Sequence, residues 1–165
     1  MNLNSPVARR VRNALFIGLF LFVTCSPHGG FCAYVLLPFF VCSWLIDLFV
    51  MLRKPEQRAR RAERILTWVL AFCLAGVVNL YWFRESRAYA NNVVSAVVNY
   101  KARTGTYPTD LQEAGIRPER AFAKWMLVYG VSSDGRPGLS YAVPYIASDM
   151  YDFDFDTGQW LYLPN

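Results

Sequence analysis

The chain has 165 residues, of which 55% are hydrophobic and 18% charged, and its formal net charge is +5 at pH 7. The excess positive charge lies near residue 10 and between residues 53 and 64, beside long apolar runs. A nucleic-acid-binding protein would instead gather this charge on one soluble face, so nucleic acid is excluded as the expected partner. The pattern predicts a protein embedded in a lipid bilayer, whose basic segments set its orientation.

The first apolar stretch runs from residue 14 to residue 52 and is interrupted at residues 26–30 by "SPHGG". One proline and two glycines within five residues predict a turn. The apolar residues 31–52 that follow the turn are numerous enough to span a bilayer, so we expect a membrane helix there.

The segment before this turn supports two interpretations. Residues 14–25 are too few to span, so a membrane helix must also include the preceding residues, with Arg9, Arg10 and Arg12 reaching the headgroups. A cleaved secretory signal peptide also combines a basic start with a short apolar core, although no A-x-A cleavage site follows here. The sequence favours a retained span and leaves the cleaved, two-span version open.

A further span is predicted at residues 65–83, which contain no charged residue. A helix of this length measures about 28 Å, close to the thickness of the hydrocarbon core of a bilayer. Tyr81 and Trp82 stand at its end, where interfacial aromatic residues belong.

The positive-inside rule then predicts the topology. The N-terminus and the basic loop at residues 53–64 are expected in the cytoplasm, and everything after residue 83 is expected outside, which is the periplasm for a bacterial inner membrane. Residues 1–64 would form a two-span hairpin with a cytoplasmic basic loop. Residues 65–165 would contain the third span and an outer domain.

Two of the four cysteines, Cys25 and Cys32, flank the "SPHGG" turn. In an oxidising compartment they could form a disulfide across the turn, but buried or free thiols fit the sequence equally well. A metal site with His28 is the weakest alternative, because three ligands at this spacing are a poor zinc signal.

Two polar residues fall inside apolar segments. Asp47 lies near the inner end of the second span, where we expect it to reach the interface or to pair with Arg53 or Arg64. Asn79 is expected to hydrogen bond a neighbouring helix. These residues and the Cys25/Cys32 turn give an alternative function, a small transporter subunit or envelope sensor.

The helix of the third span need not end at the membrane. Apolar residues recur at helical spacing beyond it, and no proline or glycine stands between Gly76 and Gly105. This pattern predicts one helix from Ile65 to about Arg103. Its outer half carries one apolar stripe that must be covered by something else. The stripe consists of Ala90, Val93, Val94, Val97 and Tyr100.

Signals for short elements follow the long helix. Gly105 is predicted to end the helix, Tyr107 and Pro108 to turn the chain, and Thr109 to cap a short helix that reaches Ala114. Strand patterns then predict a meander of three or four antiparallel strands packed on the helix stripe. The predicted strands are residues 125–131, 139–146 with Pro144 at an edge or bulge, 150–156, and 160–163.

The outer part resembles the type IV pilin and type II secretion pseudopilin family. An emerging helix with an Ala/Val stripe precedes "GTYPTDL" and an antiparallel sheet, and the similarity covers residues 65–165. It is carried most sharply by Val97, Tyr100, Gly105, Tyr107, Pro108 and Leu111. The resemblance implies a pilin-like fold and partners among pilins or secretion-system proteins. The residues expected to serve partner binding or the fold itself are Val93, Val97, Tyr100, Gly105, Tyr107 and Pro108.

The chain departs from the family pattern before its apolar helix. Pilin precursors carry a glycine before the cleavage point and a glutamate five residues into the helix, whereas "RRAERILTWV" has no glycine and its Glu63 precedes the apolar run. The resemblance therefore implies an accessory protein of a pilus- or secretion-type assembly rather than its bulk subunit.

No enzymatic activity is expected, because the single histidine lies in the membrane turn and no nucleophile, phosphate-loop or zinc-protease motif occurs. The segment "MYDFDFD" alternates strictly, which predicts a strand with Tyr151, Phe153 and Phe155 on one face. Its other face, with Asp152, Asp154 and Asp156, is expected to be solvated. Since some pseudopilins hold calcium near the C-terminus, the resemblance also implies a weak calcium site at these residues. No other cofactor is expected.

Overall fold

We analysed a computed structural model, which describes residues 6–143 and 146–164. Its helices and strands are α1 (Pro6–Thr24), α2 (Gly30–Arg53), a 3₁₀ turn (Pro55–Gln57), α3 (Arg58–Thr104), α4 (Pro118–Trp125), β1 (Val128–Val131), β2 (Pro137–Val143), β3 (Ile146–Asp154) and β4 (Gln159–Leu163). The chain divides into two compact units, Met1–Leu80 and Tyr81–Asn165. The division falls inside α3, later than the boundary at residue 64 that the sequence predicts.

The first unit is held together by aromatic and small residues. Phe20 of α1 packs on Ala71 and Ala75 of α3, where the small side chains let the two helices approach closely. Aromatic rings from all three helices surround this contact, and their centroids lie 4.3–6.3 Å apart. The cluster comprises Phe20, Phe40, Trp44, Trp68 and Phe72.

Apolar side chains cover the outside of this unit. Leu19, Phe22, Phe39 and Leu70 are all at least 60% exposed, which is the arrangement expected of helices solvated by lipid. Two helices are long and apolar enough to cross a membrane, namely Gly30–Arg53 and the continuous helical stretch Pro55–Thr104. The helix α1, with arginines in its first turns, does not meet that criterion, so the structure accounts for two of the three predicted spans.

Asn79 ties the end of α1 to α3, as the sequence predicts. Its side-chain amide donates to the carbonyl oxygens of Thr24 at 2.9 Å and Ala75 at 2.8 Å. Within the described residues its Oδ1 atom is buried and accepts no hydrogen bond. The contact with Thr24 therefore gives a donor to a backbone carbonyl at the end of α1, where the helix itself supplies none.

The long helix is confirmed as one uninterrupted element, 47 residues in α3. In the second unit its stripe forms the core, because Ala90, Val93 and Val97 are fully buried under the sheet. Gly105 ends the helix with φ +82° and donates its backbone N–H to the Lys101 carbonyl at 2.8 Å. A left-handed residue at this position is the usual way to end a helix.

The prediction of a short helix from Thr109 to Ala114 is wrong, because these residues form bends and turns. Oδ1 of Asp110 accepts the backbone N–H groups of Gln112 and Glu113, and Glu113 in turn accepts the backbone N–H of Thr109. Side chains thus satisfy the donors of a first helical turn, and Gly115, with φ +79°, ends the turn before a second can form.

The helix α4 was not predicted from the sequence. Pro118 stands at its first turn with Glu119, Lys124 lies in its last turn, and Ala121 and Trp125 are buried against the core. These are ordinary signals for helix ends. Trp125, predicted to begin the first strand, instead ends this helix, and Met126 leaves it in the left-handed region with φ 48°.

The sheet is a four-stranded antiparallel meander in the order β1-β2-β3-β4, as predicted. The pairing of β2 with β3 shifts register between Ala142 and Val143. The strand predicted at residues 139–146 ends at Val143, and Ile146 already belongs to β3. Pro144, the residue predicted to mark a bulge or edge, lies outside the described residues.

Candidate functional site

A basic pocket lies in the first unit, between the N-terminal part of α1 and the start of α3. It has a volume of about 910 Å³. One wall is formed by Ala14, Ile17 and Trp68, and polar side chains form the remainder. The pocket is lined by five arginines, Arg10, Arg12, Arg60, Arg61 and Arg64.

Asp47 of α2 supports this basic cluster. Its carboxylate is only 1% exposed and forms ion pairs with Arg61, at 2.5 Å between Nη1 and Oδ1, and with Arg64, whose Nε donates to Oδ2 at 2.9 Å. The predicted pair with Arg64 is confirmed, and the Arg61 pair was not predicted. Arg53, the other predicted partner, lies over the Phe49 ring at 4.2 Å.

The remaining pocket arginines differ from Arg61 and Arg64 in their surroundings. Within the part of the chain that the structure describes, no carboxylate lies within ion-pair distance of Arg10, Arg12 or Arg60, and all three are exposed. Among the described residues that line the pocket, Glu63 is the only acidic one. The pocket therefore has an excess of positive charge facing its open volume.

The turn between α1 and α2 holds the predicted cysteine pair. Cys25 follows the last residue of α1 and donates its backbone N–H to Leu21, while Cys32 lies in the first turn of α2. Both are half-buried thiols in this structure, and their disulfide stays a prediction. No grouping of three metal-binding side chains, with His28 or elsewhere, occurs among the described residues.

The predicted partner-binding or fold-making residues of the second unit lie mostly in its interior. Val93 and Val97 are 0% exposed, so they contact only their own domain. Tyr100 is half-buried at the end of the stripe, beside Glu113. Gly105 has open space around its Cα and serves the backbone rather than a contact.

Tyr107 and Pro108 connect the helix end to the sheet. The Tyr107 ring packs on Phe155 with 5.4 Å between the ring centroids. The Lys101 ammonium lies over the Tyr107 ring, 4.1 Å from its centroid. Pro108 is fully buried, and its carbonyl accepts a hydrogen bond from the Tyr129 hydroxyl at 2.8 Å. The sequence predicts the turn but gives no signal for the Tyr129 contact.

The alternation predicted at residues 150–156 is present as far as Asp154, where β3 ends, and Tyr151 and Phe153 pack against the core that contains the helix stripe. The predicted strand is therefore two residues too long at this end, because residues 155 and 156 belong to the turn that follows. Asp154 accepts the backbone N–H groups of Asp156 and Thr157 and the Thr157 hydroxyl, and these hydrogen bonds lower its pKa. Burial raises the pKa of Asp152. Because Asp154 closes the β3–β4 turn and the described residues contain no three-ligand grouping, the structure gives the predicted calcium site no support.

Arg87 joins the helix to the sheet, and this role was not predicted from the sequence. Its guanidinium carbon lies 5.1 Å from the Tyr151 ring centroid and 4.9 Å from that of Trp160, and it also donates to the Tyr141 hydroxyl at 3.4 Å. One turn further, Asn91 accepts a hydrogen bond from the Trp160 indole at 2.9 Å. These contacts fix β2, β3 and β4 on the helix.

The outward face of the sheet carries apolar residues. Leu161 and Leu163 of the edge strand β4 are 48% and 50% exposed, and Val128 on the opposite edge is 49% exposed. In register, Leu161 stands opposite Asp152. On the inward face of β4, the Tyr162 hydroxyl donates to the buried Asp149 carboxylate. This outward face, unlike the helix stripe, is open to a partner.

We compared the chain with family models, with curated proteins and with solved structures, and none of the three comparisons found a match.

Proposed function

We propose that the chain is a multi-pass protein of a bacterial inner membrane. The N-terminus and the basic loop before α3 lie in the cytoplasm, and the second unit lies in the periplasm. Support comes from the two long apolar helices and from the uneven charge, since nine basic residues stand in the N-terminal segment and the loop.

The helix α1 is proposed as the third span. Its outward residues Leu15, Phe16, Leu19 and Phe22 are 58–82% exposed, which suits lipid better than water. Its inward residue Phe20 packs on α3, so removing the helix would uncover the small side chains of Ala71 and Ala75.

The second unit serves as an interaction domain without enzymatic activity, in an accessory role within an envelope assembly of the pilus or secretion type. One observation carries this proposal, namely that α3 runs without a break from an apolar segment into a stripe buried under an antiparallel sheet. The arrangement agrees with the fold implied by the pilin resemblance. A permanent anchor of several spans suits an accessory protein, because such a chain would not leave the membrane for a filament.

The partner surface proposed is the outward face and free edge of β4. The stripe residues Val93 and Val97 are buried within their own domain, so they are poor positions from which to reach a partner. Leu161 and Leu163 are half-exposed on an edge strand, whose backbone groups are open to pairing with another strand.

Site-specific photo-crosslinking in cells of the native host tests this proposal. A photoreactive residue in place of Leu161 should give an adduct with a pilin or secretion-system component, identified by mass spectrometry. The control places the same residue at Glu119, exposed at the start of α4, where no such adduct should form. Identical adducts from both positions, or no envelope-assembly component from Leu161, would contradict the proposal.

A further inference from the structure

The basic pocket of the first unit is not explained by an interaction domain outside the membrane. We propose that it is a binding site for the phosphate headgroup of an anionic phospholipid. The proposal is independent of the role of the second unit, and it depends on charge, on the chemistry of arginine and on the apolar wall of the pocket.

The charge around the pocket is unbalanced. Among the residues that the structure describes, five arginines line it and two carboxylates oppose them, those of Glu63 on the wall and Asp47 behind it. Three positive charges are therefore in excess. Cations that surround one cavity repel each other, and the repulsion is relieved when an anion occupies the space between them.

Arginine is also the side chain best suited to phosphate. Its planar guanidinium donates paired hydrogen bonds that match two phosphate oxygens. Arg12 approaches from α1 and Arg60 from α3, and the described residues offer neither of them an ion-pair partner. Asp47 and Gln57 hold Arg61 in place, with Gln57 Oε1 accepting from Arg61 Nη2 at 3.0 Å. Part of the site is thus fixed before a ligand arrives.

The apolar wall favours a lipid over free phosphate. Ile17 and Trp68 are half-buried beside the arginines, and Ala14 completes that side of the pocket. A volume of about 910 Å³ is far larger than one phosphate ion needs and lies in the range of sites for larger organic ligands. Basic pockets between membrane helices on the cytoplasmic side are suited to lipid headgroups with one or two phosphates.

Native mass spectrometry of the full chain in detergent tests the proposal. Added phosphatidylglycerol or cardiolipin should bind the wild-type protein at least about tenfold more tightly than phosphatidylcholine does, since each basic residue near a headgroup contributes about 1 kcal/mol. The double variant R12Q/R60Q should lose about tenfold or more of its affinity for the anionic lipids.

The matched control is R53Q/K54Q, which removes the same charge from the same basic region without touching the pocket lining. It should keep the wild-type affinity within about twofold, and an unchanged tryptophan fluorescence spectrum should show that both double variants are folded. Equal losses in the two variants, or equal affinity for neutral lipid, would overturn the proposal. Displacement of bound lipid by millimolar inorganic phosphate would assign the site to free phosphate and overturn the lipid assignment.

Discussion

Tyr129 connects the first strand to the turn that ends the long helix. Its hydroxyl donates to the carbonyl of the buried Pro108 at 2.8 Å. Burial, with the nearby Tyr107 and Glu113, raises the pKa of Tyr129 from 10.0 to about 12. The folded state therefore keeps the phenolic proton at pH values where the unfolded chain releases it, and the free energy of unfolding must fall as pH rises from 10 to 12.

The substitution Tyr129→Phe tests this contact. We expect it to lower the free energy of unfolding by about 1 kcal/mol at neutral pH, the usual net value of one hydrogen bond. The difference from wild type should shrink between pH 10 and pH 12, because the variant has no phenol to ionise there. Thermal unfolding in detergent, followed by tryptophan fluorescence at several pH values, measures both effects. The control Tyr81→Phe, at an exposed ring, should follow the wild-type profile, and parallel profiles for all three proteins would contradict the account.

Contacts of polar residues inside the predicted membrane helices were predictable, because such residues must find a polar partner on a neighbouring helix. Asp47 was expected to meet Arg64, and Arg61 could have been added, because residues three apart share one face of a helix. The contacts of Arg87 were not predictable. Arg87 and Tyr141, for example, are 54 positions apart in the sequence. No local sequence pattern encodes which aromatic ring will lie beside which cation.

Among the elements, α3 depends on Gly105 for its end. The glycine has φ +82°, and a Cβ added there would meet no atom within 4 Å. Any loss of stability on substitution must therefore come from backbone strain rather than from a clash. This separation makes the position a clean test of how the helix ends.

We expect Gly105→Ala to destabilise the second unit by about 1 kcal/mol, the cost of a left-handed conformation for an L-residue. For a unit of this size the melting temperature should fall by about 4 °C or more. The control is Gly130→Ala in β1, where there is also open space but no positive φ. It should leave the melting temperature unchanged or slightly higher, and differential scanning calorimetry compares the two. Equal shifts would show that strain at Gly105 does not define the helix end.

The elements with strong periodicity were predicted from sequence, and the short ones were not. A stripe repeated over several turns predicts α3, and strict alternation predicts β3. The segment after Pro108 has residues that usually cap a helix, but it is only about one helical turn long. Hydrogen bonds from its backbone to the Asp110 side chain therefore form an isolated turn instead of a helix. The eight residues of α4 are too few for periodicity to stand out from the neighbouring strand signals.

At the scale of the whole molecule, charge and hydropathy carry most of the information. They predicted the two helices that are long and apolar enough to cross a membrane. The helix α1 was also predicted as a span, but the arginines at its start keep it from meeting that criterion of length and hydropathy. The pocket arginines were visible in the sequence as a basic loop and a basic N-terminus. Their common cavity was not, because it depends on the packing of α1 against α3, which aromatic contacts between distant residues determine.

The central claim is that the basic loop and the second unit lie on opposite sides of one membrane. Single cysteines introduced as Glu56→Cys and Asp156→Cys, after replacement of the four native cysteines, can be labelled in cells with a membrane-impermeant maleimide. With the outer membrane permeabilised and the inner membrane intact, the account predicts that D156C is labelled, and that E56C is labelled only after the inner membrane is disrupted. Labelling of both positions, of neither, or of E56C alone in intact inner membranes would contradict it.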